Sequence, residues 1–219
     1  MTPPHVQSVQ VGLPRFHGVP GVADPLDRPW ATAFFKEPIA GPVAVTPAGL
    51  AGDGQSDLVN HGGIDKAVLA YSADHSDGWR DELGLAELPG GAFGENLTVA
   101  GLTEDGVCVG DVWRCGGVTL EVTQPRQPCW KLARRWRIKD LPARVVRSGR
   151  CGWYLRVTQV GTLAAGDAFT LLARPNPAWT IRRAHRVMHF AKSDAAESSA
   201  LAAVPGLSLD WHEALRGRG

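Results

Sequence analysis

Short apolar runs bounded by glycine, proline or asparagine dominate the chain up to about residue 174. Runs of this length that are rich in β-branched residues are typical of strands. They are VQSVQVG near the start, PVAVT at 42–46, AVLAY at 67–71, NLTVAG at 96–101, DVWRC at 111–115, VTLEVTQ at 118–124, CGWYLRVTQ at 151–159 and GDAFTLLAR at 166–174. Gly116 and Gly117 predict a tight hairpin, because glycine supplies the positive φ that such a turn needs. Many short strands at close spacing predict a closed or nearly closed β-barrel.

Helical patterns are few in the same part of the chain. One helix is predicted near 73–84, and a pair is predicted within 128–149. The pair is interrupted around Lys139, Asp140 and Pro142. The fold class predicted for this region is therefore mainly β with a few peripheral helices.

The tail has a helical pattern instead. Apolar residues recur at helical spacing within 181–191, behind Thr180 as a candidate N-cap. Asp194 followed by Glu197 resembles a capping box, and Ser208 is a candidate cap for a third helix. The tail is thus predicted to form three short helices.

The change of pattern predicts two parts, a β-barrel domain at 1–174 and a three-helix extension at 175–219. Three short helices bury little apolar surface alone, so the extension should pack on the barrel or on a second subunit. A helix-turn-helix DNA reader is the alternative for this tail. Its six Lys and Arg against four acids do not favour a basic recognition face.

Composition and charge exclude several classes of protein. The 219 residues are 44% hydrophobic and 21% charged, as is usual for a soluble globular chain. The net charge of +1 argues against a dedicated nucleic-acid binder, whose affinity comes largely from neutralising phosphates. Locally, nine Lys or Arg against one acid lie within 126–150, a cluster that either attracts anions or is a solvated helical face.

Targeting and cysteine patterns predict a cytoplasmic protein. The N-terminus MTPPHVQSVQVG lacks the charged and apolar regions of a secretory signal, and no window approaches 18 consecutive apolar residues, the length of a membrane span. The four cysteines show no C-x-x-C pair, so most should be free thiols. Cys108 and Cys115 lie in strand-like apolar contexts that favour small core residues.

One cysteine has a different setting, in the stretch QPRQPCWKLARRWR at 124–137. Pro128 suits the first turn of a helix, which would place Cys129 at a helix N-terminus. The helix dipole, Arg126 and Lys131 would then favour the thiolate, the form that attacks electrophiles and binds metals. A buried core thiol is an equally weighted alternative from this stretch alone.

Two glycine motifs accompany that cysteine. NHGGIDKAV at 60–68 places His61, two glycines and Lys66 before a predicted strand, where backbone N–H groups can approach an anion. GAFGENL at 91–97 is a second glycine turn, with Glu95 and Asn96. A simple turn histidine and an asparagine backbone cap are the alternatives.

Together, HGGIDKA, FGENL and QPRQPCWKL resemble the MOSC domain family (molybdenum cofactor sulfurase C-terminal domain), and within it the YiiM-like proteins. The resemblance covers nearly the whole chain, because WTIRRAHRVMHFAKSD is similar to the three-helix extension of that subfamily. Two positions depart from the pattern: Ile64 stands where proline is frequent and Trp130 where tyrosine is frequent. Neither changes the charge or the thiol.

The resemblance implies a pyranopterin molybdenum cofactor, with Cys129 as the metal ligand and catalytic residue. From the chemistry of the residues in the three motifs we expect a set of cofactor-binding residues, which are His61, Gly62, Gly63, Lys66, Gly94, Glu95, Asn96, Arg126 and Lys131. The cofactor carries a phosphate and a pterin, so cations, hydrogen-bond donors and close backbone turns suit it.

The resemblance further implies a reductase of N-hydroxylated compounds, such as the hydroxylaminopurine-type bases that related proteins detoxify. Electrons must come from a separate reductase, because the chain has no ferredoxin cysteine run and no G-x-G-x-x-G fingerprint. A non-catalytic molybdopterin or sulfur carrier, using a Cys129 persulfide, is the alternative, and an interaction module without cofactor is a third. We expect a small-molecule substrate, no nucleic-acid duplex, no membrane, and a tail that leaves room for a homodimer.

Overall fold

The computed structural model describes residues 2–57 and 61–218. Thirteen strands lie in this part of the chain. In chain order they are β1 (His5–Val11), β2 (Arg15–His17), β3 (Trp30–Thr32), β4 (Glu37–Pro38), β5 (Val43–Thr46), β6 (Gly49–Leu50), β7 (Val68–Ser72), β8 (Leu97–Ala100), β9 (Val112–Cys115), β10 (Val118–Pro125), β11 (Trp153–Gln159), β12 (Gly161–Leu163) and β13 (Phe169–Ala173). The eight apolar runs of the sequence all contain a strand, so those predictions are confirmed.

Six α-helices lie in the same described part of the chain. They are α1 (Ser76–Leu83), α2 (Lys131–Trp136), α3 (Leu141–Ser148), α4 (Ile181–Phe190), α5 (Ala195–Ala202) and α6 (Leu209–Arg216). The helix predicted near 73–84 and the interrupted pair within 128–149 are confirmed. Single 3-10 turns at Ile64–Lys66 and Ala73–His75 lead into β7 and α1.

Eight strands form one sheet in the order β13, β9, β10, β11, β7, β8, β1, β4. Its neighbours are antiparallel except for β7 and β8, which run parallel. The glycine hairpin is confirmed, since Cys115 pairs with Val118 across it and Gly116 has a φ of 55°. This mainly β architecture with peripheral helices is the predicted fold class.

The predicted barrel is corrected in one respect, because the eight-stranded sheet is not closed into a barrel. Its order ends at β13 on one side and β4 on the other. The two sides approach where Val6 N donates to Asp167 O (2.9 Å) and Phe169 N donates to Pro4 O (2.8 Å). Within the described residues, an isolated bridge between His5 and Ala168 links β1 to the start of β13, and the far end of β1 pairs with β4 instead.

Five short strands were not indicated by the sequence. Two small sheets hold four of them: β5 lies between β12 and β6, and β2 pairs with β3. The fifth, β4, is the two-residue edge of the large sheet. Strands of two or three residues contain too few positions to show an alternating pattern, so only the fold reveals them.

The interior is continuous from the large sheet to the tail. Fully buried side chains include Trp79, Phe93 and Trp153. Cys108 and Cys115 are buried free thiols, as predicted for small core residues. All four cysteines are free thiols in the structure, and the prediction was that most would be.

The tail forms the three predicted helices α4, α5 and α6, and all three predicted caps are confirmed. The bonds are Thr180 Oγ1 accepting from Arg183 N (3.1 Å), Asp194 Oδ1 accepting from Glu197 N (2.9 Å) and Ser208 Oγ accepting from Trp211 N (3.3 Å).

The extension packs against the same chain's sheet. Ile181, Ala184 and Val187 on α4 are fully buried, and α4 contacts β10. Ile181 N donates to Val107 O at 2.8 Å, which ties the start of α4 to the domain. The boundary at residue 174, the homodimer and the cytoplasmic location stay predictions. No helix in residues 2–57 and 61–218 is long and apolar enough to cross a membrane.

Candidate functional site

One cleft brings the three sequence motifs together. Its empty volume is about 550 Å³, including the part that opens to solvent. Seven of the predicted site residues line it, namely His61, Lys66, Gly94, Asn96, Arg126, Cys129 and Lys131. Asn60, the first residue of the NHGGIDKAV motif, lies outside the described residues.

The other three predicted residues do not line this cleft. Gly62 and Gly63 form the turn before β7, and Gly63 has a φ of 97°, a conformation that favours glycine. Glu95 points into the protein, where it is 1% exposed. Its carboxylate accepts from Gly91 N (2.7 Å) and Phe93 N (2.9 Å), so it holds the glycine turn closed.

The start of helix α2 differs from the prediction. The helix begins at Lys131 and not at Pro128, so Cys129 lies two residues before it. Just after the end of β10, Arg126 N donates to Gly152 O (3.0 Å), so the chain is still held by backbone pairing at this point. Leu132 N donates to Cys129 O at 3.2 Å, so the chain turns around the cysteine itself.

Cys129 is half-buried and lines the cleft, unlike the other three cysteines. Burial raises its pKa, but a hydrogen bond with His61, the charge of Arg126 and the backbone N–H of Lys131 together lower that pKa to about 7. For Cys115, burial raises the pKa to about 12. The core-thiol alternative therefore describes the other cysteines, while Cys129 carries substantial thiolate near neutral pH.

His61 connects the thiol to a carboxylate. Its Nδ1 lies 3.2 Å from Asp57 Oδ2, and it also hydrogen-bonds Cys129. An imidazole held on one side by a carboxylate has a restricted orientation, so its bond to the sulfur is directed. Asp57 and His61 are four residues apart in the sequence, but nothing in that spacing singled out Asp57.

Arg126 is 3% exposed and leaves one donor without a partner. Its Nη2 donates to Phe93 O at 3.2 Å, whereas Nη1 is buried and has no hydrogen-bond partner among the described residues. A buried cationic N–H without an acceptor is costly, and an acceptor group on a ligand would relieve that cost. The cleft therefore suits an anionic or acceptor-rich ligand.

Sequence reasoning missed Lys36 and Asp53, which form a buried ion pair in the wall of the cleft. Their side chains are 7% and 4% exposed. Burial lowers the pKa of Lys36, although the charge of Asp53 opposes this. No local pattern marks either residue, because 17 positions separate them and only the fold joins them.

Asn96 links this ion pair to the sheet. Its Nδ2 donates to Asp53 Oδ2 (2.8 Å) and its Oδ1 accepts from Leu69 N (3.1 Å). The side chain is 4% exposed. Asn96 therefore mainly holds the backbone at Leu69 and the side chain of Asp53 in place, at the edge of the cleft. This agrees with the backbone-cap alternative for Asn96.

Three aromatic rings complete the wall, from Phe34, Phe93 and Tyr154. Gly94 is required beside Phe34, because a Cβ at Gly94 would lie 2.7 Å from the Phe34 ring and its φ is 79°. The loop can therefore approach the ring closely only with glycine at this position. The result is a cleft with flat apolar faces beside cationic groups.

Two family models match this chain. The MOSC domain model matches residues 57–170, and the YiiM-like 3-alpha helix domain model matches residues 179–218. The first match contains the three sequence motifs and the second contains helices α4 to α6.

Two curated relatives are similar in sequence. The chain is 39% identical over 180 residues to "Uncharacterized protein YflK" of Bacillus subtilis (strain 168), covering 82% of this chain and 81% of the relative. It is 38% identical over 162 residues to a protein of Gibberella moniliformis named "Reductase", covering 72% of this chain but only 28% of that longer protein.

A solved structure is similar throughout. The crystal structure of YiiM from Geobacillus stearothermophilus aligns with a TM-score of 0.82 and 34% sequence identity, covering 99% of both chains. The sheet and the three-helix extension thus occur together in that protein as they do here.

The first prediction concerns the reactivity of Cys129 in the full-length protein. Because the thiolate fraction grows as pH rises through the pKa, the rate of iodoacetamide alkylation should reach half its maximum near pH 7. His61→Gln removes a hydrogen bond to the sulfur, so this midpoint should move toward the ordinary thiol pKa of about 8.5. The measurement is a pH series of alkylation followed by mass spectrometry at Cys129.

His5→Gln is the matched control for that series, since the His5 imidazole hydrogen-bonds Pro3 O and His5 is not among the described residues that line the Cys129 cleft. It should leave the midpoint unchanged. A wild-type midpoint above about pH 8.5 would contradict the charge environment derived for Cys129.

The second prediction concerns Glu95 as a brace of the glycine turn. In Glu95→Gln, an NH2 group replaces one of the two oxygens that accept from backbone N–H groups. One buried N–H then loses its acceptor, so the free energy of unfolding should fall by about 2 kcal/mol. Glu87→Gln, at an exposed position, is the control and should change little. Urea unfolding measures both, and equal midpoints for the two variants would show that Glu95 does not hold the turn.

Proposed function

The chain belongs to the MOSC domain family, in its YiiM-like branch with the three-helix domain, and from this premise we propose that it is a molybdenum-cofactor-dependent reductase of N-hydroxylated compounds. The observation that carries the proposal is the convergence of Cys129 with Lys36, Lys66, Arg126 and Lys131 in one cleft. MOSC domains are of a molybdenum-cofactor-binding type, and this cleft has the donors that such a group needs.

The residues present fit a pyranopterin cofactor. Cys129 offers a soft thiolate ligand for the metal, and Arg126 has a buried N–H that awaits an acceptor. Lys66 and Lys131 would face the phosphate and the polar edges of the pterin, between the aromatic walls. When bound, the cofactor supplies a two-electron redox centre that no amino acid side chain provides.

The proposed overall reaction balances without a further reactant. A hydroxylamino compound, R–NHOH, takes up two electrons and two protons and gives R–NH2 and water. The N–O bond breaks, an N–H bond replaces it and the oxygen leaves as water. The nitrogen is reduced, and the electron donor is oxidised.

This chain's own residues position and protect the reacting group. His61 holds the sulfur of Cys129 in its charged form through their hydrogen bond, and Asp57 fixes the ring. The buried Lys36 and Asp53 keep the wall rigid, because each is paired and packed. Phe34 and Phe93 limit the water that reaches the inner end of the cleft.

The electrons are proposed to come from a separate reductase protein. The similar protein of Gibberella moniliformis is named "Reductase", and the matched region is 28% of its length. That name supports a redox role for a protein that contains such a region. In a purified system, reduced methyl viologen, a one-electron bipyridinium donor, can take the place of the partner at two equivalents per substrate.

The third prediction tests this function directly. Cys129→Ala should abolish reduction of hydroxylaminopurine to adenine by protein that carries its cofactor, with reduced methyl viologen as donor. The physical reason is loss of the proposed metal ligand. Because Cys129 is half-buried and outside the core, circular dichroism should show an unchanged fold. Cys108→Ala is the matched control and should keep its activity, since Cys108 is buried elsewhere.

Full turnover by Cys129→Ala would remove this cysteine from the mechanism. A different result favours the carrier alternative: wild-type protein that releases sulfur as thiocyanate on treatment with cyanide, but never reduces the substrate. A Cys129 persulfide, and not a metal ligand, would then be the working group.

A further inference from the structure

A second cleft adjoins the first at Cys129. Its volume is about 880 Å³, including the part open to solvent. It shares with the first cleft a wall formed by His61, Lys66, Cys129 and Tyr154. The residues found only in the second cleft are Asp57, Gln124, Gln127, Pro128, Trp130 and Asp210. The cysteine therefore stands between two spaces with different linings.

The two clefts differ in charge. Among the described residues, the first cleft is lined by four Lys or Arg and one carboxylate, Asp53. On the same basis the second is lined by one Lys and two carboxylates, Asp57 and Asp210. A phosphate-bearing group is favoured in the first cleft, whereas the second favours a neutral or donor-rich group.

The clefts also differ in the buried polar atom that each leaves unsatisfied. In the first, the N–H at Arg126 Nη1 needs an acceptor. In the second, Gln124 is 2% exposed, and its Oε1 has no hydrogen-bond partner in the part of the chain that the structure describes. Its Nε2 donates to Pro125 O at 3.4 Å. A buried acceptor without a partner costs free energy, and a ligand N–H or O–H would satisfy it. The Gln124 amide would reach such a donor by rotating.

Trp130 supplies a flat apolar surface at the mouth of the second cleft. The residue is 52% exposed, yet two neighbouring side chains contact its ring. The Trp30 ring lies 5.1 Å away between centroids, and the Arg134 guanidinium lies 5.2 Å from the Trp130 centroid. Arg134 is anchored in turn by a bond to Pro25 O at 2.7 Å. An exposed indole with fixed support is a platform on which a planar heterocycle can stack.

The C-terminal extension forms the far edge of this cleft. Asp210 on α6 pairs with Lys66, which lines both clefts. Leu209 N donates to Asp65 Oδ2 at 3.1 Å, so the start of α6 is attached to the loop before β7. The three-helix domain thus contributes a wall to the site, and not only buried surface.

We infer that the second cleft is the substrate subsite, and that it binds a planar nitrogen heterocycle whose ring stacks on Trp130 and whose exocyclic N–H or N–OH group donates to Gln124. This inference rests on the proposed function, because it places the substrate on one side of Cys129 and the cofactor on the other. Trp130 is then a specificity-determining residue that touches substrate, and Gln124 reads the donor edge.

The fourth prediction tests this subsite by binding alone. The probe is 2-aminopurine, a fluorescent planar base with an exocyclic amino group, titrated with full-length protein as purified. Stacking on an aromatic side chain quenches its emission. Trp130→Ala should weaken binding about tenfold or more, in line with the loss of one stacked base. Trp130→Phe keeps a ring and should stay within about threefold of wild type.

Phe190→Ala is the matched control, since Phe190 is an exposed aromatic on α4 that does not line this cleft. It should bind the probe as wild type does. Gln124→Leu removes the buried acceptor at similar volume and should weaken binding in the same direction as Trp130→Ala. Unchanged binding in Trp130→Ala, or no saturable binding by wild type, overturns the subsite.

Turnover separates this inference from the proposed function. With hydroxylaminopurine and reduced methyl viologen, Trp130→Ala should raise KM far more than it lowers kcat. Turnover with a wild-type KM in Trp130→Ala overturns the subsite and leaves the reductase standing. Probe binding that depends on Trp130 without any turnover by wild type supports the subsite and overturns the reductase.

Discussion

The site depends on keeping one sulfur charged in a partly buried position. Burial alone raises a thiol pKa, as it does for Cys115. The pKa of Cys129 is lowered instead, because His61, Arg126 and the Lys131 N–H all act on its sulfur. These three groups come from two distant segments of the chain. The fold creates this site because it brings the loop before β7 next to the end of β10.

A buried polar frame maintains that arrangement. Asn96 is bonded to Leu69 N, to Gln10 O and to Asp53, so it joins β7, β1 and the loop after β6. Glu95, the neighbouring residue, closes the turn that precedes β8. Buried polar groups stabilise a unique structure only when they are paired, and these are. Two of the buried groups that are not paired, Arg126 Nη1 and Gln124 Oε1, lie in side chains that line the two clefts.

Local sequence predicts what local physics determines. Eight of the described strands, the glycine hairpin and the caps at Thr180, Asp194 and Ser208 were predictable, because each follows from neighbouring residues. The three motifs also contain eight of the 18 described residues that line the first cleft. Lys36, Asp53 and Tyr154 were not predictable, since their place in the cleft depends on long-range packing.

The errors have equally physical causes. Glu95 was expected to bind the cofactor, and only the turn geometry shows that its carboxylate faces the backbone. Pro128 can start a helix, yet Arg126 N still pairs with Gly152 O, and the helix begins only at Lys131, after a turn at Cys129. Closure of a barrel depends on both edges of the sheet, and β4 occupies part of one edge. None of these constraints is visible in a short stretch of sequence.

We propose that Cys129 and its cationic cleft hold a molybdenum pyranopterin. Elemental analysis combined with pterin fluorescence, on full-length protein made in a molybdenum-replete host, tests it most directly. The account predicts molybdenum and pterin in equal and nearly stoichiometric amounts. Folded protein that contains neither, from a host that loads its own molybdenum enzymes, would contradict it.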